Sequence, residues 1–275
     1  MNPAPLPDLP DVLLSMGGAR GQVLLITFNR PEARNAYSAE MVDSLLAALA
    51  WAEDQPSVRC VVITGAGRAF NAGGDLKLMR QHSGMFEGSP SELAQRYRRT
   101  IQRIPKALED YSKPLIAAVN GAAIGAGLDL ACMCDVRVAS EAAAFGETFV
   151  KIGLVPGDGG AYVLARVVGF AHALEMALTG EIIDARRALA IGLVNHLVAP
   201  EALLDRAFEI ADLIASNAPV AVQLTRRAFY QAHRQSLIQA LETAAAYQGI
   251  VQNTDDHLEG VAALLDKRKP DFKGR

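Results

Sequence analysis

Two stretches of this 275-residue chain set bare backbone beside an acid: "TGAGRAFNAGGDLKLM" (64–79) and "VNGAAIGAGLDLACMCD" (119–135). Each follows an apolar run that reads as a strand, and each puts small residues just before an apparent helix start. Each also places an acid, Asp75 or Asp129, two or three residues beyond. Small residues at such a turn leave backbone N–H groups open, and two chemistries use them. One is a phosphate cradle for a nucleotide; the other is a pair of N–H donors aimed at an oxygen that becomes negative during a reaction. The spacing of Gly121, Gly125 and Gly127 is close to the cofactor turn of short-chain dehydrogenases. Those enzymes also need a Tyr-x-x-x-Lys pair, and none of the six tyrosines here has a lysine four residues on.

Other motifs are missing as well. There is no Gly-x-Ser-x-Gly elbow, no Gly-Lys-Ser/Thr phosphate loop and no His-Glu-x-x-His zinc helix. The five histidines, 82, 172, 196, 233 and 257, are scattered singly and read as ordinary residues. Cys132 and Cys134, one residue apart in an apolar stretch, lack a second ligand pair and read, like Cys60, as buried reduced thiols. No metal site is expected. A net charge of −3, from 27 basic and 30 acidic residues, argues against a nucleic-acid surface. No membrane span is expected either, because no apolar run reaches the roughly 18–20 residues a span needs. The proline-rich start carries no signal or transit pattern, so residues 1–20 are expected to be a loose tail and the protein cytoplasmic.

The elements that must position these turns alternate. Residues 22–28, 59–65, 113–119 and 135–140 read as buried strands. Ser38 reads as the N-cap of a helix ending near Gln55-Pro56, and Ser89-Pro90-Ser91-Glu92 as a capping box opening a long helix. This alternation implies an α/β core. From Gly159 on, the pattern is nearly all helical, with helices at 184–191, 201–216, 219–233 and 235–265 and one strand at 192–198. The stretch 80–91 is the most loop-like interior segment, suited to a mobile cover over a site.

The paired turns, together with "NRPEARNAYS" (29–38), "FGETFVKIGLVPGDGG" (145–160), "LTGEIIDARRALAIGLVNHLV" (178–198) and "EGVAALLDKRKPDF" (259–272), resemble the enoyl-CoA hydratase/isomerase, or crotonase, superfamily. The likeness runs from about residue 20 to the C-terminus. It implies a spiral of ββα turns over 21–199 and a helical trimerisation region over 200–275 that builds trimers or dimers of trimers. It further implies an acyl-CoA thioester substrate, with no cofactor beyond the coenzyme A that the substrate carries. Carried over by position, the backbone N–H groups of Ala72 and Ala126 would hold the thioester oxygen as it becomes an enolate. Ala33, Arg34, Ala36, Asp75 and Leu76 would line the CoA site, and Lys269, Phe272 and Lys273 would approach a CoA bound to a neighbouring subunit.

The acids depart from the family pattern. Hydratases of the family use two glutamates; here those positions are Asp129 and Phe149, and phenylalanine transfers no proton. Three carboxylates are candidates for the acid/base. Asp129 keeps its family position but competes with a helix-surface reading. Glu147 lies two residues before Phe149. Asp158 is one residue beyond an acid position of some family isomerases and dehalogenases, and competes with a helix-capping reading. The resemblance therefore implies a hydratase or isomerase working through an enolate. A ring-opening isomerase of the phenylacetate type, a thioester or C–C bond hydrolase, and a non-catalytic acyl-CoA-binding or RNA-associated relative stand as alternatives.

Overall fold

A computed structural model describes residues 4–275. The strands are β1 (Val12–Gly17), β2 (Val23–Phe28), β3 (Cys60–Gly65), β4 (Ala69–Asn71), β5 (Leu115–Val119), β6 (Ala122–Ile124), β7 (Val136–Ser140), β8 (Ala144–Gly146), β9 (Ile182–Asp184) and β10 (His196–Val198). The helices are α1 (Ala39–Asp54), α2 (Leu76–Arg80), α3 (Pro90–Arg99), α4 (Arg103–Glu109), α5 (Ala126–Met133), α6 (Gly160–Thr179), α7 (Ala185–Ala190), α8 (Leu203–Ala215), α9 (Pro219–Ala232), α10 (Leu237–Gln252) and α11 (Asp255–Leu265).

Two sheets result, in the orders β1-β2-β3-β5-β7-β10 and β4-β6-β8-β9. Each of the pairs β3/β4, β5/β6 and β7/β8 gives its first strand to the large sheet and its second to the small one, so the chain climbs as a spiral of ββα turns. Alternate residues explain why the large sheet's strands read as unbroken apolar runs. Val61 and Ile63 face the main core beneath the small sheet, while Cys60 and Val62 face Leu203, Ala207, Ile210 and Ala211 of α8. α8 thus packs on the large sheet. Beyond it, α9 and α10 bury no residue, and Phe229, Leu237, Ile238 and Leu241 stand exposed.

Several expectations are corrected. The tail expected at 1–20 contains β1, paired antiparallel with β2 from Val12↔Phe28 to Gly17↔Val23. The long helix opened by Ser89 breaks at Thr100 into α3 and α4. The helix expected at 235–265 is two, because the Thr254 hydroxyl accepts from His257 N (3.1 Å) and starts α11 afresh. The 20-residue α6, in which an 18-residue stretch has a mean hydropathy of 1.4, is long and apolar enough to span a membrane by length and composition, against the sequence reading. It is nevertheless broken at Gly169 (φ 78°, ψ 158°) and packs on α5.

Candidate active site

The first turn, residues 71–75 after β4, is anchored by the bend ahead of α1. Asn35, fully buried in a left-handed conformation (φ 57°), donates from Nδ2 to the carbonyls of Ala66 (3.0 Å) and Ala69 (2.8 Å). Tyr37 N–H donates to Gly73 O (2.8 Å). In return Ala72 N–H donates to Arg34 O (3.1 Å), which corrects its expected role: that donor is spent inside the fold. Two residues on, the N–H of Gly74 meets no backbone acceptor among the described residues, and neither does that of Ala126 in the second turn.

The second turn sits directly on the first. A Cβ at Gly127 would lie 2.0 Å from Asn71 O. One at Gly73 (φ 81°) would lie 2.7 Å from Ile124 O and 3.4 Å from Ala126 N. Only glycine permits that approach. Ala126 opens α5, where the helix leaves its first N–H groups unpaired and carries positive charge density. Met79 and Phe86 cover Gly74, so the 80–91 segment contributes packing to this corner through a 3-10 turn at Gly84–Phe86.

Behind the second turn, the three candidate carboxylates meet. Asp129 of α5 is fully buried, Glu147 between β8 and the next 3-10 turn is 1% exposed, and Asp158 ahead of α6 is 3% exposed. The helix-surface reading of Asp129 is therefore excluded. So is the capping reading of Asp158, because Gly159 caps α6 and no side chain bonds there. Both oxygens of Asp129, both of Glu147 and Oδ1 of Asp158 find no donor among the described residues. Asp129 and Asp158 lie within hydrogen-bonding reach, and acceptor facing acceptor is relieved only by a proton held between them. Burial first, then the charges of Asp158 and Glu147, hold Asp129 well above the usual carboxylate range. Burial and Asp158 push Glu147 up to about 8. Burial also raises Asp158, against hydrogen bonds that lower it. A Cβ at Gly160 would fall 2.3 Å from Asp129 Oδ1, so the start of α6 is bare where the acid lies against it.

Of the three acids, Asp158 lines a narrow seam shared with Ala126, Tyr37, Ile101, Ile104, Pro105, Leu130 and Met133. Phe149 lies against the second turn, its ring 3.5 Å from where a Gly125 Cβ would be.

The expected CoA residues divide. Arg34 is an exposed side chain (φ 53°), Ala36 is buried, Ala33 is half-buried and Leu76 is exposed, all around the first turn. Asp75 caps α2, accepting from Lys77 N (2.9 Å) and Leu78 N (3.3 Å). Lys269, Phe272 and Lys273 are not brought to these residues within one chain. Phe272 packs on Gly260 and its carbonyl accepts from Arg59 (2.7 Å), at the opposite end of β3 from the turns. Lys273 pairs with Asp271.

With this geometry in place, comparison with known proteins decides the family. The family model for enoyl-CoA hydratase/isomerase matches residues 18–275. The chain belongs to the enoyl-CoA hydratase/isomerase family. It is 39% identical over 254 residues to 2,3-dehydroadipyl-CoA hydratase of Escherichia coli strain K12, covering 92% of this chain and 96% of that one. It is 38% identical to (E)-benzylidenesuccinyl-CoA hydratase of Thauera aromatica, with the same coverages. The crystal structure of enoyl-CoA hydratase from Bacillus anthracis superposes with a TM-score of 0.89 at 32% identity, covering 96% of this chain and all (100%) of that one. This hydratase/isomerase-family protein is thus an acyl-CoA-processing enzyme of crotonase fold.

Sequence reasoning singled out neither Gly74, whose N–H is unpaired, nor Tyr37, whose hydroxyl has no partner among the described residues. The composition of "NAGGDL" allowed either amide to be the donor, and only the bond from Ala72 to Arg34 separates them. Nothing in "NAYS" marks Tyr37 as more than a core aromatic.

Proposed function

We propose that the protein reversibly hydrates a 2-enoyl-CoA through a thioester enolate. The carrying observation is that Ala126, whose N–H is unspent, and Asp158 line the same narrow seam. Ala126 N–H, strengthened by the start of α5, and Gly74 N–H receive the thioester oxygen, and such a donor is worth about 3–4 kcal/mol in the transition state. Asp158 exchanges a proton with the carbon next to the thioester. Asp129 and Glu147 stand behind it as carboxyls whose burial favours keeping a proton. Arg34, exposed beside the first turn, is free to meet a CoA phosphate. The reading needs no cofactor beyond the CoA of the substrate. The exposed apolar faces of α9 to α11 support self-association as a trimer or a dimer of trimers. Three buried free cysteines suit a reducing cytoplasm.

The test is crotonyl-CoA hydration, followed by loss of the enoyl thioester's ultraviolet absorbance. Asp158→Asn is expected to lower kcat by about 10²–10⁴-fold, and unchanged turnover would refute the assignment. Phe149 favours a second reading, double-bond isomerisation, because one carboxyl can carry a proton across an enolate without water. Conversion of a 3-enoyl-CoA to its 2-enoyl isomer, with no hydration, would select it.

A further inference from the structure

Tyr37 is polar where nothing in the fold asks for polarity. Its side chain is 1% exposed, its ring stands edge-on to Phe28 at 6.2 Å, and its backbone is tied to the first turn through Gly73. The hydroxyl finds no partner among the described residues, although Tyr37 lines the same narrow seam as Asp158 and Ala126. Phenylalanine would fill that ring position without burying an unpaired hydroxyl, which is destabilising. Burial and the nearby charge of Asp158 keep the phenol protonated, so it has a hydrogen to offer. The rest of the wall is Ile101, Ile104, Pro105, Leu130 and Met133. Among the side chains there, an oxygen has one donor and one carboxyl to meet.

We propose that Tyr37 and Asp158 together hold the oxygen atom that is added to, or removed from, the acyl chain, with Tyr37 O–H donating to it and that oxygen donating to the Asp158 carboxylate. The proposal rests on the enolate reading above and makes Tyr37 a catalytic residue for its water step. In the addition direction, one O–H bond of water breaks and its proton passes to Asp158. The oxygen bonds to carbon 3, and the double-bond electron pair moves into the enolate. Carbon 2 of the enolate then takes a proton from the carboxyl cluster. One water is added, and the cluster ends with the protons it began with.

The test compares wild type and Tyr37→Phe, both full-length, in two reactions. One is hydration of crotonyl-CoA. The other is exchange of the carbon-2 protons of butyryl-CoA in D2O, which forms the enolate without moving any oxygen. Tyr37→Phe is expected to melt at the same temperature as wild type or higher. Hydration should fall by about 10²-fold or more, while proton exchange stays within a few-fold. Hydration by Tyr37→Phe at the wild-type rate would overturn the proposal, and so would a parallel loss of exchange, which would place Tyr37 in enolate binding or packing. A wild type that exchanges but does not hydrate would overturn this proposal and the hydratase assignment while keeping the enolate. A wild type that does neither would overturn the enolate reading and this one with it.

Discussion

The two small-residue turns are near copies in sequence and opposites in structure. In the first, the acid is used: Ala72 N–H is bonded to Arg34 O, Gly74 N–H stays open, and Asp75 accepts two backbone N–H groups at the start of α2 with Arg30 Nη2 3.9 Å away. In the second, Ala126 N–H is open and Asp129 has no donor at all. An acid two or three residues past a glycine turn is thus a helix cap in one place and part of a buried carboxyl cluster in the other. The difference lies in what packs behind. Asp75 opens a five-residue helix at the surface, whereas Asp129 points into the start of α6 and toward β8, which bring Asp158 and Glu147 with them.

The sharpest way to break this contrast is to delete the second turn's open donor. Ala126 is the first residue of α5, where proline removes an N–H that the helix does not use. Ala126→Pro should therefore keep the fold, with a melting temperature near wild type, while kcat falls by about 10²–10³-fold. A variant that keeps its rate would mean that the thioester oxygen is held elsewhere. Next in size is Gly73→Ala. Its backbone is left-handed and its Cβ would press on Ile124 O, so a cost of about 1–3 kcal/mol is expected, read from a denaturant midpoint. Because the same Cβ pushes at Ala126 N, kcat should fall along with stability.

Much of the frame was legible because its signals are local. Val23–Phe28 and Cys60–Gly65 are continuous apolar runs, and Ser38 caps α1 through Met41 N (3.0 Å) as its position implies. The small sheet was not legible, because β4, β6, β8 and β9 have three residues each, too few for a period to show. β1 hid for another reason. It is an edge strand whose Leu13 is 55% exposed, next to a proline-rich start that reads as a tail. The acids were legible one at a time as candidates. That all three share one dry site depends on contacts between α5, the segment after β8 and the start of α6, and no spacing along the chain encodes those.

The carboxyl cluster also makes stability depend on pH in a direction that identifies it. Glu147 sits near 4.5 in an unfolded chain and at about 8 in the fold, so between those values the folded state keeps a proton that the unfolded state has lost. That preference stabilises the fold fully below about 4.5 and is lost as pH rises through 8. Wild type should accordingly melt at progressively lower temperature from pH 5 to pH 8. Glu147→Gln, which cannot ionise, should show a shallower fall and overtake wild type at the alkaline end. Parallel curves for the two proteins would mean that Glu147 is not part of the cluster.

The smallest effect belongs to the first turn, and it tests whether that acid is only a cap. Asp75→Ala removes the acceptor for Lys77 N and Leu78 N and should cost about 1 kcal/mol in a denaturant midpoint, a typical loss for an N-cap. Asp75→Asn keeps an oxygen in the same place and should recover most of that loss. The charge matters little to a cap, because the helix start needs an acceptor more than it needs an anion. At position 129 the same pair of changes should order differently. Asn there supplies an N–H donor to Asp158 where two acceptors now face each other, so Asp129→Asn should equal or exceed wild type in stability at pH 8, while Asp129→Ala opens a gap in the core. If the two acids responded alike to the alanine and asparagine series, the contrast between a capping acid and a buried one would lose its physical basis.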